Sequence, residues 1–134
     1  MSQVRPLQVS DGDWVETLHR DIFGYGISLK DFLGEHHIAL GIEGKAYLLL
    51  QWIPPEAEIL YLAVEASFRR QGMARAMMET FVGQYGPESI FLEVRETNEE
   101  ALSFYRKEGF CAMGRRVDYY GVGLDAITME RRYD

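Results

Sequence analysis

EILYLAVEASFRRQGMARAMMETFVGQYGPESIFLEV, residues 58–94, decides how this chain folds. Its opening, Glu58–Val64, is an apolar run of strand length, the pattern of a strand buried on both faces. Met73, Met77 and Phe81 then recur at i, i+4 spacing beside Ala74, Met78 and Val82. That periodicity predicts an amphipathic helix over 72–85 with a wide apolar face, stopped by Gly86-Pro87. SIFLEV at 89–94 is a second buried strand. Strand, helix and strand in this order imply a parallel pair joined by a crossover helix.

Working outward, residues 98–108 read as another helix ending at Gly109, and 110–133 as two strands around a turn near Gly121–Gly123. Upstream, Trp14, Val15, Leu18 and Ile22 have helical spacing within 11–23, after the capping candidates Ser10 and Asp11. Ser28 with Asp31 three residues on marks the start of a second short helix. Residues 37–42 and 45–53 form strands joined at Glu43-Gly44, and Pro54-Pro55 ends the pair because proline cannot donate to a ladder. The expected fold is α/β with α+β character, a mixed sheet with helices on both faces, in a single domain over 1–134.

Composition narrows the function classes. The chain has 134 residues, enough for one core, with no repeat, low-complexity tract or long linker. No run approaches bilayer-spanning length and MSQVRPLQVSDGD lacks the apolar stretch of a signal peptide, so a cytoplasmic protein without a membrane partner is expected. The net charge of −7 argues against nucleic-acid binding and suits basic acceptors. Cys111 is the single cysteine, which excludes an internal disulfide and a cysteine-rich zinc cage; it reads as packed rather than nucleophilic. His36 and His37, adjacent on a strand, point to opposite faces, and His19 has no histidine neighbour, so no metal is expected.

Four features carry chemistry. Arg69-Arg70-Gln71-Gly72-Met73-Ala74 lies between a buried strand and a helix, where unpaired N–H groups and the positive dipole end suit phosphate oxygens. Read alone, it is also an ordinary strand-to-helix turn with surface arginines. Glu93 interrupts an apolar strand, a costly place for a carboxylate unless it is paired or reaches a cleft. Base and strand-end ion pair are equally good readings of it. Tyr105 follows the inner face of its helix; packing explains it, and so does a phenol able to protonate a leaving thiolate. Asn98 is either the first helical residue after a Thr97–Glu100 capping box or an amide that reaches a ligand.

In this order the features resemble the GNAT superfamily of N-acetyltransferases, from about Glu58 to Met129. Arg69-x-x-Gly72-x-Ala74 resembles that family's Q/R-x-x-G-x-G/A pyrophosphate loop. LEVRETNEEALSFYRKEGF at 92–110, RRVDYY at 115–120 and DAITM at 125–129 resemble the RimI subfamily, which modifies the N-terminal alanine of a ribosomal protein. The resemblance implies a mostly antiparallel sheet whose parallel pair, carrying Val64 and Glu93, splays to admit the pantetheine arm of acetyl-CoA. It implies Glu93 as general base, Tyr105 as general acid and Asn98 as a CoA contact. Leu62, Ala63 and Val64 would bind the acetyl and pantetheine part through their backbone, and Arg70, Gln71, Gly72, Met73, Ala74 and Arg75 the pyrophosphate. The implied partners are acetyl-CoA and an amine acceptor, chiefly a protein N-terminus, with the enzyme a monomer or homodimer.

Two stretches depart from the RimI pattern. Phe23-Gly24-Tyr25-Gly26-Ile27-Ser28 stands where relatives carry Phe-Pro-Trp-Ser, in the region that shapes the acceptor site, and the hairpin at Tyr119–Asp125 is short. A small-molecule amine acceptor, or an acyl-CoA sensor without turnover, therefore stay open as alternatives.

Overall fold

Glu43-Gly44 turns the chain where predicted: Lys45 N–H donates to the Ile42 carbonyl at 2.9 Å, and the strands on either side pair from Ile42 with Ala46 out to His37 with Gln51. In the computed structural model, which describes residues 3–133, these strands are β2 (His37–Ile42) and β3 (Ala46–Ile53). Around them lie β1 (Arg5–Pro6), α1 (Gly12–Phe23), β4 (Glu56–Val64), α2 (Met73–Tyr85), β5 (Ser89–Arg95), α3 (Glu99–Lys107), β6 (Cys111–Arg116) and β7 (Ala126–Arg132). The hydrogen-bonded strand order is β1-β2-β3-β4-β5-β7-β6. β4 pairs parallel with β5, while β1–β2, β2–β3, β5–β7 and β6–β7 are antiparallel. The mixed sheet with one parallel pair is thus as expected.

The residues group into two compact units that divide within β4. The first holds the chain through Ile53 together with Leu60–Gly86. Alternation along β3 sends Tyr47 and Leu49 to one face and Leu48 and Leu50 to the other, and all four are buried. Tyr47 and Leu49 pack with Ala39 and Ala63 against Val15 and Leu18 of α1, with Leu7 and Leu29 closing the cluster. On the opposite face the Trp52 ring meets Phe81 of α2 edge-on at 5.5 Å, and Met77 and Met78 are buried with it. One helix therefore covers each face of this unit.

The second unit holds Pro54–Ile59 and the chain from Pro87. Its parallel ladder joins Glu56–Glu58 to Ser89–Phe91, although β4 continues to Val64 and β5 to Arg95. β5 then pairs along its whole length with β7, from Ser89 with Arg132 to Arg95 with Ala126. β6 pairs with β7 from Cys111 with Glu130 to Arg116 with Ala126, and its register shifts by one residue between Ala112 and Gly114. Ala57, Ile59, Ile90, Leu92, Val94, Ala126 and Met129 are buried on this unit's strands, with Leu102 and Tyr105 of α3 and Phe110 just before β6.

Several local expectations are corrected. β4 is not buried on both faces: Ala57, Ile59 and Ala63 are buried, whereas Glu58, Leu60, Leu62 and Val64 are half-buried. Ser28 does precede a short helix, but a 3-10 one, Leu29–Phe32; Ser28 makes no side-chain cap bond, and Glu16 Oε2 takes the Leu29 N–H at 2.9 Å. Asp11 precedes α1, but its carboxylate makes no cap bond to that helix's backbone. It accepts from Arg5 Nη1 and Nη2 at 2.9 and 2.7 Å, from Gln8 N–H at 2.8 Å and from Trp14 Nε1 at 2.9 Å. Among the described residues, no helix is long and apolar enough to cross a membrane.

The buried Asp11 makes the first unit acid-sensitive. The hydrogen bonds from Arg5, outweighing the cost of burial, hold its carboxyl well below the usual carboxylate range. Its folded form thus binds a proton less readily than its unfolded form, so stability is complete above about pH 5 and is lost as pH falls below about 4 toward the folded value. Asp11→Asn is expected to cost roughly 1–3 kcal/mol at pH 7 and to flatten this acid dependence, read by urea unfolding at pH 7 and pH 3.

Candidate active site

Beyond Val64 the chain makes one 3-10 turn, Ala66–Phe68, capped by Glu65, whose Oε2 accepts from Ser67 N–H at 2.8 Å. Arg69 Nε donates back to the Val64 carbonyl at 3.1 Å, and Gln71 Nε2 to the Ser67 carbonyl at 3.4 Å. Arg70 and Gly72 then adopt left-handed backbone, with φ of 63° and 80°. Such reversals turn successive N–H groups toward one side and make anion-binding concavities. The first bond of α2 runs from Ala76 N–H to the Gly72 carbonyl at 2.9 Å, so the amides before Ala76 lie at the helix's positive end. Arg69–Gly72 and Arg75 are exposed, Met73 and Ala74 half-buried. The predicted loop residues are thus together at one helix start. Leu62 and Val64 are half-buried on one face of β4, with Ala63 buried on the other.

In the second unit, Glu93 lies on the face of β5 opposite Leu92 and Val94, and pairs across the ladder with Thr128. Arg116 Nη1 donates to Glu93 Oε1 at 3.0 Å, and the Tyr120 hydroxyl donates to the Glu93 carbonyl at 3.3 Å. Glu93 Oε2 is buried without a hydrogen-bond partner. The ion-pair reading of Glu93 therefore holds for one oxygen, with Arg116 rather than Arg95 as its partner. Arg95 lies over the Tyr120 ring at 5.0 Å, and Arg116 over Tyr119 at 4.3 Å.

The register shift in β6 makes this pairing. Cys111 faces the same side as Glu93; with one extra residue at Met113, Gly114 and Arg116 return to that side. Arg115 turns away instead and pairs with Glu96 at 2.7 Å and Asp125 at 3.0 Å.

Asn98, not Thr97, is the N-cap of α3: its Oδ1 accepts from Ala101 N–H at 3.1 Å. Tyr105 is buried beside Phe104 and Phe110, with ring centroids at 5.2 and 5.4 Å. Desolvation pushes its phenol above the usual tyrosine range, so it keeps its proton at neutral pH.

Other sequence expectations change. Cys111 is exposed rather than packed. His36 sits in the turn before β2 with φ of 63°, so it and His37 do not share a strand. His19 is buried; its Nδ1 lies 2.6 Å from the Tyr47 hydroxyl and its Nε2 has no hydrogen-bond partner. Burial lowers its proton affinity, so the ring is neutral. Among the described residues there is no group of three or more His, Cys, Asp or Glu placed to hold a metal ion. Glu58, Arg116 and Tyr120 were missed. Glu58 carries a signal, since a carboxylate opening an apolar strand is as anomalous as Glu93; the other two reach Glu93 through pairing that no local pattern reveals.

The strand order with its one parallel pair is the fold of GNAT-type transferases. The chain belongs to the Acetyltransferase (GNAT) family, whose model matches residues 14–110. It is 35% identical over 79 residues to the N-alpha-acetyltransferase RimI of Mycobacterium tuberculosis, covering 58% of this chain and 50% of that one. It is 32% identical over 78 residues to the [ribosomal protein bS18]-alanine N-acetyltransferase of Escherichia coli K12, covering 56% and 53%. The match thus spans about half the length of these curated relatives. The crystal structure of the ribosomal-protein-S18-alanine N-acetyltransferase from Escherichia coli superposes with a TM-score of 0.82 at 27% identity, covering 98% of this chain and 94% of that one. Ard1 from Thermoplasma volcanium gives 0.82 at 26%, covering 98% and 97%.

At Gly72 an added Cβ meets nothing within 4 Å, so the cost of Gly72→Ala is the left-handed backbone alone. Urea unfolding is expected to show a loss of about 1–2 kcal/mol.

Proposed function

We propose that this chain transfers the acetyl group of acetyl-CoA to an amine, with a protein N-terminal α-amine as the leading acceptor. The observation that carries the reading is the state of Glu93: one oxygen is fixed by Arg116 and the other is buried and unpartnered. A carboxylate held in that way is ready to accept an N–H proton from a ligand.

The residues of the first unit fit the cosubstrate. Phosphate oxygens suit the backbone N–H groups of Gln71–Arg75 at the α2 start, with Arg70 adding charge. The backbone of Leu62, Ala63 and Val64 would hold the pantetheine arm, and an N–H near Val64 the negative charge that builds on the thioester oxygen. When bound, acetyl-CoA supplies an activated acyl group on a good leaving thiol.

The second unit then supplies the proton transfers. An N-terminal α-amine has a pKa near 8, so part of it is protonated at neutral pH and must lose a proton before attack. Glu93 takes that proton, directly or through water, and the nitrogen lone pair attacks the thioester carbonyl. As the tetrahedral intermediate collapses, the C–S bond breaks and Tyr105 gives its proton to the departing sulfur, and the proton shed by the acylated nitrogen restores the phenol. Asn98 keeps Oδ1 on its helix cap, so a CoA contact would come from its amide nitrogen. The likeness to the Escherichia coli and Mycobacterium tuberculosis N-terminal acetyltransferases supports the protein acceptor. The Phe23–Ser28 departure favours testing small amines as the second reading.

The test is CoA-thiol release from acetyl-CoA with alanine-initiated peptides and with small amines. Release with peptides is expected; release with small amines alone moves the acceptor class. Glu93→Gln is expected to lower kcat by about 10²-fold or more while acetyl-CoA still binds, and Tyr105→Phe to do likewise. Unchanged turnover in Glu93→Gln rules Glu93 out as the base.

A further inference from the structure

Lys45 has no place in the mechanism above, yet the first unit brings it against the segment that leads into the phosphate loop. It closes the β2–β3 turn, where its N–H donates to the Ile42 carbonyl at 2.9 Å. Its own carbonyl accepts from Glu65 N–H at 2.8 Å, where β4 gives way to the 3-10 turn Ala66–Phe68. Its side chain extends over the same turn: Nζ lies 5.1 Å from the centroid of the Phe68 ring. Lys45 and Phe68 are both half-buried, so the ammonium is partly withdrawn from water where the negative face of the ring can hold it. Phe68 stands immediately before Arg69–Gly72, and all of these residues lie in the first unit.

That loop needs holding. Arg70 is a non-glycine residue at φ of 63°, a left-handed conformation that works against its Cβ. Arg69–Gly72 are exposed, so little packing opposes the strain. The bonds from Ser67 N–H to Glu65, from Arg69 Nε to Val64 and from Gln71 Nε2 to Ser67 are all internal to residues 64–71. Internal bonds shape a segment but do not tie it to its neighbours. Lys45 does so twice, through its carbonyl on Glu65 and its ammonium on Phe68, one at each end of the 3-10 turn.

We infer that Lys45 is a positioning residue for acetyl-CoA, acting through Phe68: the contact of ammonium and ring holds the loop in the conformation whose N–H groups would meet the phosphates. The inference rests on the reading of Gln71–Arg75 as the phosphate site, and adds to it a residue from a different pair of strands. A loop already ordered before the ligand arrives spares the complex that entropy cost, so the contact acts on affinity rather than on rate. The acceptor and the groups that move protons are untouched by it.

Titration calorimetry of the whole chain with CoA, which needs no acceptor, is the test. Every substitution at Lys45 keeps the carbonyl bond to Glu65, so Lys45→Met removes the ammonium alone. Lys45→Met is expected to raise Kd for CoA about three- to fivefold, and Phe68→Leu to do the same. The double variant is expected to bind no more weakly than either single one, because both remove one contact. Lys45→Arg, which keeps a cation over the ring, is expected to recover most of the affinity. In acetyl transfer, KM for acetyl-CoA is expected to rise by the same factor in Lys45→Met, with kcat within twofold of wild type. Losses that add in the double variant overturn the inference. Dephospho-CoA, which lacks the 3′-phosphate, separates positioning from direct contact: an equal loss with both ligands supports action through the loop. A loss confined to CoA means that Lys45 touches that phosphate itself, and overturns it. A native chain that binds no CoA overturns the acetyl-transfer reading and this inference with it, whereas CoA binding that Lys45→Met leaves unchanged overturns the inference alone.

Discussion

Three residue pairs, Glu56–Glu58 against Ser89–Phe91, make up the parallel ladder, and much of the molecule follows from its being so short. A parallel pair obliges the chain to leave the sheet and return, which is why β4 and β5 are separated by the loop and the helix that begins at Met73. Because the ladder includes Glu58 and stops at Phe91, the next residue on that face of β5, Glu93, is free of parallel pairing but fully engaged with β7. The backbone of Glu93 is thus fixed from one side, and its side chain is fixed by Arg116.

How much of this was legible depends on how far a residue's environment lies along the chain. The helices at 12–23 and 73–85 and the hairpin at Glu43-Gly44 are written in spacing and turn chemistry, and they stand within a residue or two of expectation. The parallel pair followed from strand, helix and strand in sequence. Local competition was less legible. Asp11 had the right type for a helix cap, but a cation at Arg5 and the indole of Trp14 won its oxygens. Thr97 fitted a capping box with Glu100, yet Asn98, read as the first helical residue, is the one whose side chain caps the helix.

The candidate site was half legible for the same reason. Glu93 and Tyr105 break or extend a visible pattern. Arg116 does neither: its bearing on Glu93 depends on hydrogen-bond counting along β6 and β7, which no periodicity encodes. Glu58 was visible as an anomaly but was absorbed into the apolar run it opens. His19 shows the reverse error. On sequence it was a lone helical histidine, yet it sits among the rings of Phe23, Tyr25, Tyr47 and Tyr61, with centroids between 4.6 and 6.2 Å. An uncharged imidazole suits such surroundings, and its hydrogen bond to Tyr47 ties α1 to β3 by a polar contact inside an otherwise apolar cluster.

The doubled arginine at Arg115-Arg116 gives β6 a tolerance that a lone arginine would lack. A strand that slips by one position exchanges its two faces, and here the exchange would set one guanidinium where the other had been. The cation beside Glu93 is therefore redundant for a slip in one direction only: the opposite slip would put Val117 where Arg116 stands. Alignment in the tolerated direction falls to the buried Ala126 and Met129 on β7. A gain of one residue in β6 ahead of Arg115 can thus be absorbed over descent without stripping the carboxylate of its counter-charge, whereas a loss cannot.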